Sequence, residues 1–180
     1  MAKQFSSLTD DHIQFIADQH VFFVGTAAEV GRVNVSPKGM DSLRVMGPNR
    51  ILWVNLTGSG NETAGHLVRA NRMTLMWCSF SKRPLILRCY GTAKTLHCDD
   101  AEWGGLAANL PHHRGARQIY DVNVDLVQTS CGYAVPFMDP AGDRPTMQHW
   151  IDQREDADFR AYWAEKNRET IDGLPTGVPV

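Results

Sequence analysis

The chain has 180 residues, a net charge of −2 at neutral pH and 43% hydrophobic residues, enough for one sizeable core but cramped for a second independent domain. That charge argues against a general nucleic-acid binder, whose surface would be basic. No apolar run approaches the roughly 18–20 residues of a membrane span, and the first fifteen residues lack the apolar block of a secretory signal, so a cytoplasmic protein without membrane or nucleic-acid partners is expected. The four cysteines, Cys78, Cys89, Cys98 and Cys131, form no Cys-x-x-Cys pair and are expected to be reduced and structural.

Residues 7–20 place Leu8, Ile13, Phe15 and Ile16 toward one side of a helix, with Ser7 or Thr9 as cap and Asp10 and Asp11 in the favoured first turn. Residues 21–26 read as a strand, and residues 31–36 alternate around Val33 and Val35 as its hairpin partner. Pro37-Lys38-Gly39 is expected to stop that second strand, because proline brings no N–H to a ladder. Residues 42–46 form a further strand, turned by Pro48 and Asn49 into the apolar run Ile51-Leu52-Trp53-Val54. That run is too short for a helix and reads as a buried strand.

Asn55, Leu56 and Thr57 lead from it into Gly58-Ser59-Gly60, and Ala64, Leu67 and Val68 then recur at helical spacing. Ser59 and Glu62 have the separation of a capping box. A strand, a tight loop and a helix start suit an anion, because the first helical turn leaves its N–H groups unpaired at the positive end of the dipole. Thr57, Ser59, Asn61 and Thr63 add short polar side chains there. Capping alone explains the same residues, and the loop matches neither the nucleotide-hydrolase phosphate loop nor the three-glycine dinucleotide fingerprint.

Strands follow at residues 72–78 and 85–96. The longer places Leu85, Leu87, Cys89, Gly91 and Ala93 on one face and Arg88, Tyr90, Thr92 and Lys94 on the other. Asp99 and Asp100 open a helix that ends before Pro111. His112, His113, Arg114 and Arg117 form a basic cluster read as a solvated loop. In residues 122–127, Val122, Val124 and Leu126 alternate against Asn123, Asp125 and Val127. Residues 139–146 are a linker, and residues 148–167 hold one or two helices whose Trp150 and Trp163 are assigned to packing. The expected architecture is mainly β with α additions, one domain over residues 1–180 with residues 139–180 as a helical C-terminal extension. About seven short strands with short links favour an antiparallel barrel. Neither a zinc-site spacing nor a Gly-x-Ser-x-Gly elbow occurs.

Five segments, VNVSPKG (33–39), LWVNLTGSGNETAGHL (52–67), RMTLMWCSF (72–80), RPLILRCYGTAKTL (83–96) and VQTSCGYAVP (127–136), in this order resemble the pyridoxamine-phosphate-oxidase-like family of FMN-binding split β-barrels. KNRETIDGLP (166–175) resembles an ending of one uncharacterised branch. The resemblance implies an antiparallel split barrel, a homodimer and FMN at the subunit interface. It implies that Ser36, Pro37, Lys38 and Gly39 approach the flavin ring, that Asn55 and Thr57 line ring and ribityl chain, and that Ser59, Gly60, Asn61 and Thr63 lie near the phosphate. Arg88, Gln128 and Ser130 would complete the pocket, some from the second subunit.

The activity so implied is an FMN-dependent oxidoreductase moving hydride or electrons between a donor such as NAD(P)H and a small-molecule acceptor. A non-enzymatic flavin- or haem-binding module is the alternative, and deazaflavin an alternative cofactor. The oxidase itself carries an Arg-Lys pair at the helix start, where this chain has Asn61-Glu62-Thr63, and its substrate-gripping C-terminal segment is not recognisable here. Oxidation of pyridoxamine phosphate is therefore not the expected reaction.

Overall fold

The computed structural model describes residues 2–179. Its strands are β1 (Lys3–Phe5), β2 (Phe22–Thr26), β3 (Asn34–Lys38), β4 (Leu43–Gly47), β5 (Arg50–Leu56), β6 (Met73–Cys78), β7 (Ile86–His97) and β8 (Ala116–Ser130). Helices α1 (Asp10–Ala17), α2 (Glu62–Arg69), α3 (Trp103–Ala107), α4 (Thr146–Asp152) and α5 (Asp156–Lys166) punctuate them. All strands pair antiparallel in one sheet ordered β3-β2-β6-β7-β8-β5-β4, with β1 added on β8.

This sheet curls into a barrel. Laid flat, β2 and β5 would stand four strand spacings apart, about 19 Å, yet the rings of Phe22 and Trp53 meet at 6.1 Å between centroids. Phe22 also stacks on Trp77 at 5.9 Å, and Trp53 on Tyr120 at 4.4 Å. Phe15, Ile16, Val24, Ile51, Leu75, Leu87 and Val122 complete the interior. The unbroken apolar run in β5 has a simple cause: Ile51 and Trp53 face that interior, while Leu52 and Val54 pack outside with Leu96, Leu110 and Ile119. The strand is covered on both sides, so it shows no alternation.

Four sequence expectations need correction. Strand β3 does not stop before Pro37 but runs through it, pairing Pro37 with Phe23; β3 is an edge strand, where a missing N–H breaks no ladder bond. The eighth strand, β1, is only three residues long and escaped the pattern. Strand β8 begins at Ala116 rather than residue 122. The β7–β8 register shifts between Tyr90 and Gly91, whose partners are Leu126 and Val124. The extra residue, Asp125, is a bulge, which turns Val127 into the core and Leu126 away from it. In β7 the expected alternation is observed: Leu87, Cys89 and Ala93 are buried, and Thr92 and Lys94 are exposed.

Thr9 caps α1, accepting the His12 N–H at 3.3 Å, with Asp10 and Asp11 in the first turn. The C-terminal helices gather Ile151, Phe159, Trp163 and Val178 into a separate apolar cluster. Trp150 packs edge-on against Tyr162, under the Arg154 guanidinium. All four cysteines are free, and burial pushes the Cys89 thiol up to about 12. No helix among the described residues is long and apolar enough to cross a membrane.

Candidate cofactor site at the barrel seam

Strands β3 and β5 stand five spacings apart along the sheet, about 24 Å if it were flat, yet Lys38 Nζ donates to Asn55 Oδ1 at 3.1 Å. The curl brings the β3 edge beside β5, and a polar cavity of about 200 Å³ opens along this seam. Ser36, Lys38 and Asn34 line it from β3, Asn55 from β5, and Gly60, Asn61 and Thr63 from the loop and the start of α2. Asn34 Nδ2 lies 3.4 Å from Thr63 Oγ1, and the Ser36 hydroxyl donates to Asn34 at 2.9 Å.

The expected capping box between Ser59 and Glu62 is absent. Asn61 is the N-cap, and its side chain caps no N–H of the helix. Its Nδ2 instead donates to the Asn167 carbonyl at 3.2 Å, and its Oδ1 is buried without a partner. The Glu62 carboxylate accepts the Ile171 N–H at 3.1 and 3.2 Å, so this acid is engaged by the C-terminal segment. The first turn of α2 thus keeps N–H groups that no cap side chain satisfies, beside the hydroxyls of Thr63 and Ser36.

Two residues of this site were missed in the sequence. Arg117 is not a loop cation: it stands at the start of β8, 1% exposed. Its Nη1 donates to Gly58 O at 3.2 Å and to Asn167 Oδ1 at 2.5 Å, its Nη2 to Gly60 O at 3.0 Å and its Nε to Gln118 Oε1 at 3.1 Å. Asn167, fully buried behind α5, donates to Gly58 O at 2.9 Å. Gln118 Oε1 also accepts from Asn55 Nδ2, and Gln118 Nε2 has no partner. Burial, and then the positive Arg117, pulls the Lys38 ammonium down to about 8. Burial likewise brings Arg117 down to about 10, still charged at neutral pH.

The other expected residues fall elsewhere. Pro37 is exposed on β3 and Ser59 on the loop. Gly39 lines a second cavity of about 360 Å³, under α1 with Ile13, Phe22, Ser42, Arg44 and Trp77. The Thr57 hydroxyl is occupied, donating to Gly115 O and accepting from Trp163 Nε1, both at 2.9 Å. Thr57→Val is therefore expected to cost about 1–3 kcal/mol, since it strands the buried Trp163 N–H, while Gly115 O keeps the Thr57 backbone N–H. Urea unfolding measures this, and a loss below about 0.5 kcal/mol would contradict that role. Arg88, Gln128 and Ser130 cluster together, with Arg88 Nη1 on Ser130 Oγ at 3.1 Å and Tyr90 Oη on Gln128 at 3.2 Å. They lie eleven or more residues from Arg117 along β8, roughly 35 Å at strand rise, and do not join the seam cavity within one chain.

An antiparallel split barrel with a polar cavity at its seam defines the class. The model of the family described as pyridoxamine 5'-phosphate oxidase matches residues 8–131. The pyridoxamine 5'-phosphate oxidase family protein ustO of Aspergillus flavus is 32% identical over 192 aligned positions, covering 95% of this chain and 76% of that protein. This chain belongs to the pyridoxamine 5'-phosphate oxidase family. Among solved structures, a candidate pyridoxamine 5'-phosphate oxidase from Lactobacillus delbrueckii has the same fold, with TM-score 0.56 and 20% identity over 68% of this chain and 94% of that one. HupZ of Group A Streptococcus is similar at TM-score 0.52 and 18% identity, over 66% of this chain and 91% of that one.

Proposed function

We propose that this protein is a homodimeric, cytoplasmic FMN-dependent oxidoreductase that exchanges hydride or electrons between a reduced nicotinamide and a small-molecule acceptor. The observation that carries the reading is the seam cavity. It joins an uncapped helix start, the Thr63 and Ser36 hydroxyls and the Lys38 ammonium, a donor set that suits a phosphomonoester and its polyol chain. The orphaned Asn61 Oδ1 wants a donor, which a ribityl hydroxyl supplies.

At about 200 Å³ the cavity is smaller than the roughly 300–1,000 Å³ of complete ligand sites. It accommodates the phosphate end, and the ring extends toward a surface that a second copy covers. A two-fold partner is then the source of Arg88, Gln128 and Ser130, which one chain cannot bring to its own seam. Bound flavin supplies the redox chemistry. The chain's part is to hold it: α2 and Thr63 at the phosphate, and Asn55 and Lys38 toward the ring, where an ammonium favours the negative charge of the reduced form. No histidine lines this cavity, which speaks against haem held there. Free cysteines throughout agree with a reducing compartment.

The test is the absorption spectrum of the purified protein, with FMN added and then NADH or NADPH without oxygen. Flavin bands that bleach are the expected result. Bands that persist favour a flavin carrier without turnover, and a colourless protein that ignores FMN overturns the cofactor reading.

A further inference from the structure

The carbonyls of Gly58, Ser59 and Gly60 are all bound from one direction. Arg117 takes Gly58 O and Gly60 O, and Asn167 Nδ2 takes Gly58 O and, at 3.4 Å, Ser59 O. In a trans peptide the N–H of the next residue points opposite to the carbonyl, and no peptide here is cis. The N–H groups of Ser59, Gly60 and Asn61 are thereby turned away from Arg117 and Asn167. None of the three has a hydrogen-bond partner among the described residues. They continue the free N–H groups of the first turn of α2 as a run of unpaired donors.

Both holding side chains are buried and anchored elsewhere. The Arg117 guanidinium is tied to Asn167 and Gln118. The Asn167 carbonyl accepts from Asn61 Nδ2 and, at 2.6 Å, from the Thr176 hydroxyl. The segment after Asn167 lies directly against α2. A Cβ on Gly65 would meet Thr170 Cγ2 at 2.4 Å and the Leu174 carbonyl at 3.3 Å, so this glycine permits the approach. There the Ile171 N–H engages Glu62, the one acid at the mouth of the run.

We infer that Arg117 and Asn167 are positioning residues that hold the loop of Gly58, Ser59 and Gly60 by its carbonyls, so that its N–H groups receive the cofactor phosphate, and that residues 167–176 are part of that phosphate site. Arg117 also lines the seam cavity, but its guanidinium is committed to the Gly58 and Gly60 carbonyls, Asn167 and Gln118, and through those carbonyls it sets the backbone. The inference rests on the FMN reading above and goes beyond it, because it ties cofactor selectivity to a segment outside the matched barrel.

The experiment compares FMN with riboflavin, measured side by side by flavin fluorescence on the full chain, in the wild type, Arg117→Met, Arg117→Lys and Asn167→Asp. Riboflavin has the ring and ribityl chain but no phosphate. Arg117→Met and Asn167→Asp are expected to weaken FMN roughly tenfold or more, the worth of one charge-assisted hydrogen bond, and to leave riboflavin affinity unchanged. Arg117→Lys recovers part of the loss, since an ammonium reaches one carbonyl where the guanidinium fork reaches two. Asn167→Asp keeps an acceptor for Arg117 and replaces the donors to the loop by a carboxylate oxygen facing the Gly58 and Ser59 carbonyls, its charge paired with the Arg117 guanidinium, so it answers the question if Arg117→Met does not fold. FMN and riboflavin falling together, or neither falling, overturns the positioning role while leaving the cofactor reading intact. A wild type that binds neither flavin overturns both.

Discussion

Gly91→Ala is expected to destabilise the barrel by about 3 kcal/mol or more, at the upper end of what overpacking costs. A Cβ at this position would stand 1.9 Å from Asn123 O, 2.9 Å from Asn123 C and 3.1 Å from Val124 Cα. All three atoms are backbone, so no side chain can swing aside; either β7 or β8 must move. The two strands form the longest ladder of the sheet, and Gly91 sits where their register shifts around the Asp125 bulge. Relief by shifting β8 one residue would return Val127 to the outside and expose the other core side chains beyond the bulge. In a chain of this length 1 kcal/mol is worth about 2–4 °C in midpoint, so thermal unfolding should fall by roughly 10 °C. Gly104→Ala is the control: nothing lies within 4 Å of its Cβ, and in α3 alanine should be neutral or slightly stabilising. Equal midpoints for the two variants would show that β7 and β8 are not pressed together at Gly91.

The second large effect is expected at Lys38. On the FMN reading proposed above, Lys38→Met should lower the potential of the flavin by about 30 mV, equivalent to about 1.4 kcal/mol for a two-electron couple, because the reduced ring would lose a neighbouring positive charge. The pH dependence carries the sharper signature. Without ligand, burial holds this ammonium at about 8 against its ordinary 10.5. Between those values the unfolded chain binds more protons than the folded one, so this group's contribution to stability rises as pH rises through that window. An anionic ligand reverses the balance, since a facing negative charge favours the ammonium. FMN affinity in the wild type should therefore weaken as pH climbs above about 8, and Lys38→Met should show neither slope. Retention of both slopes in the variant would assign them to another group.

Much of the barrel was legible because its strands carry their own signals. The doubly covered β5 showed as an apolar run, β7 as a clean alternation, and the glycine loop before α2 as a strand-to-helix junction. Part of the cavity lining was legible for the same reason, since Lys38, Gly60, Asn61 and Thr63 sit beside local landmarks, while Ser36 and Asn55 came from the family resemblance. What stayed hidden depends on distant partners. Arg117 looked like a member of a solvated basic cluster because the carbonyls that justify its burial belong to residues 58 and 60 and its side-chain partner is Asn167. Asn167 itself is one asparagine after a helix, with nothing local to mark it. The face change in β8 follows from an inserted residue whose only trace is an alternation that fails at Val127. Glu62 looked adverse to an anion because the N–H it accepts lies more than a hundred residues downstream.

The seam has a wider consequence. Edges β3 and β4 are joined by a short turn but share no ladder; the β3 edge is tied instead by side chains, Lys38 to Asn55 of β5 and Asn34 to Thr63 of α2. On the cofactor reading, a ligand seated there would add a clasp to these side-chain ties, so its retention and the closure of the barrel would be one equilibrium. Substitutions far from the cavity that ease the two edges apart would loosen the cofactor without touching it, and a tightly held cofactor would hide such lesions until it is stripped away.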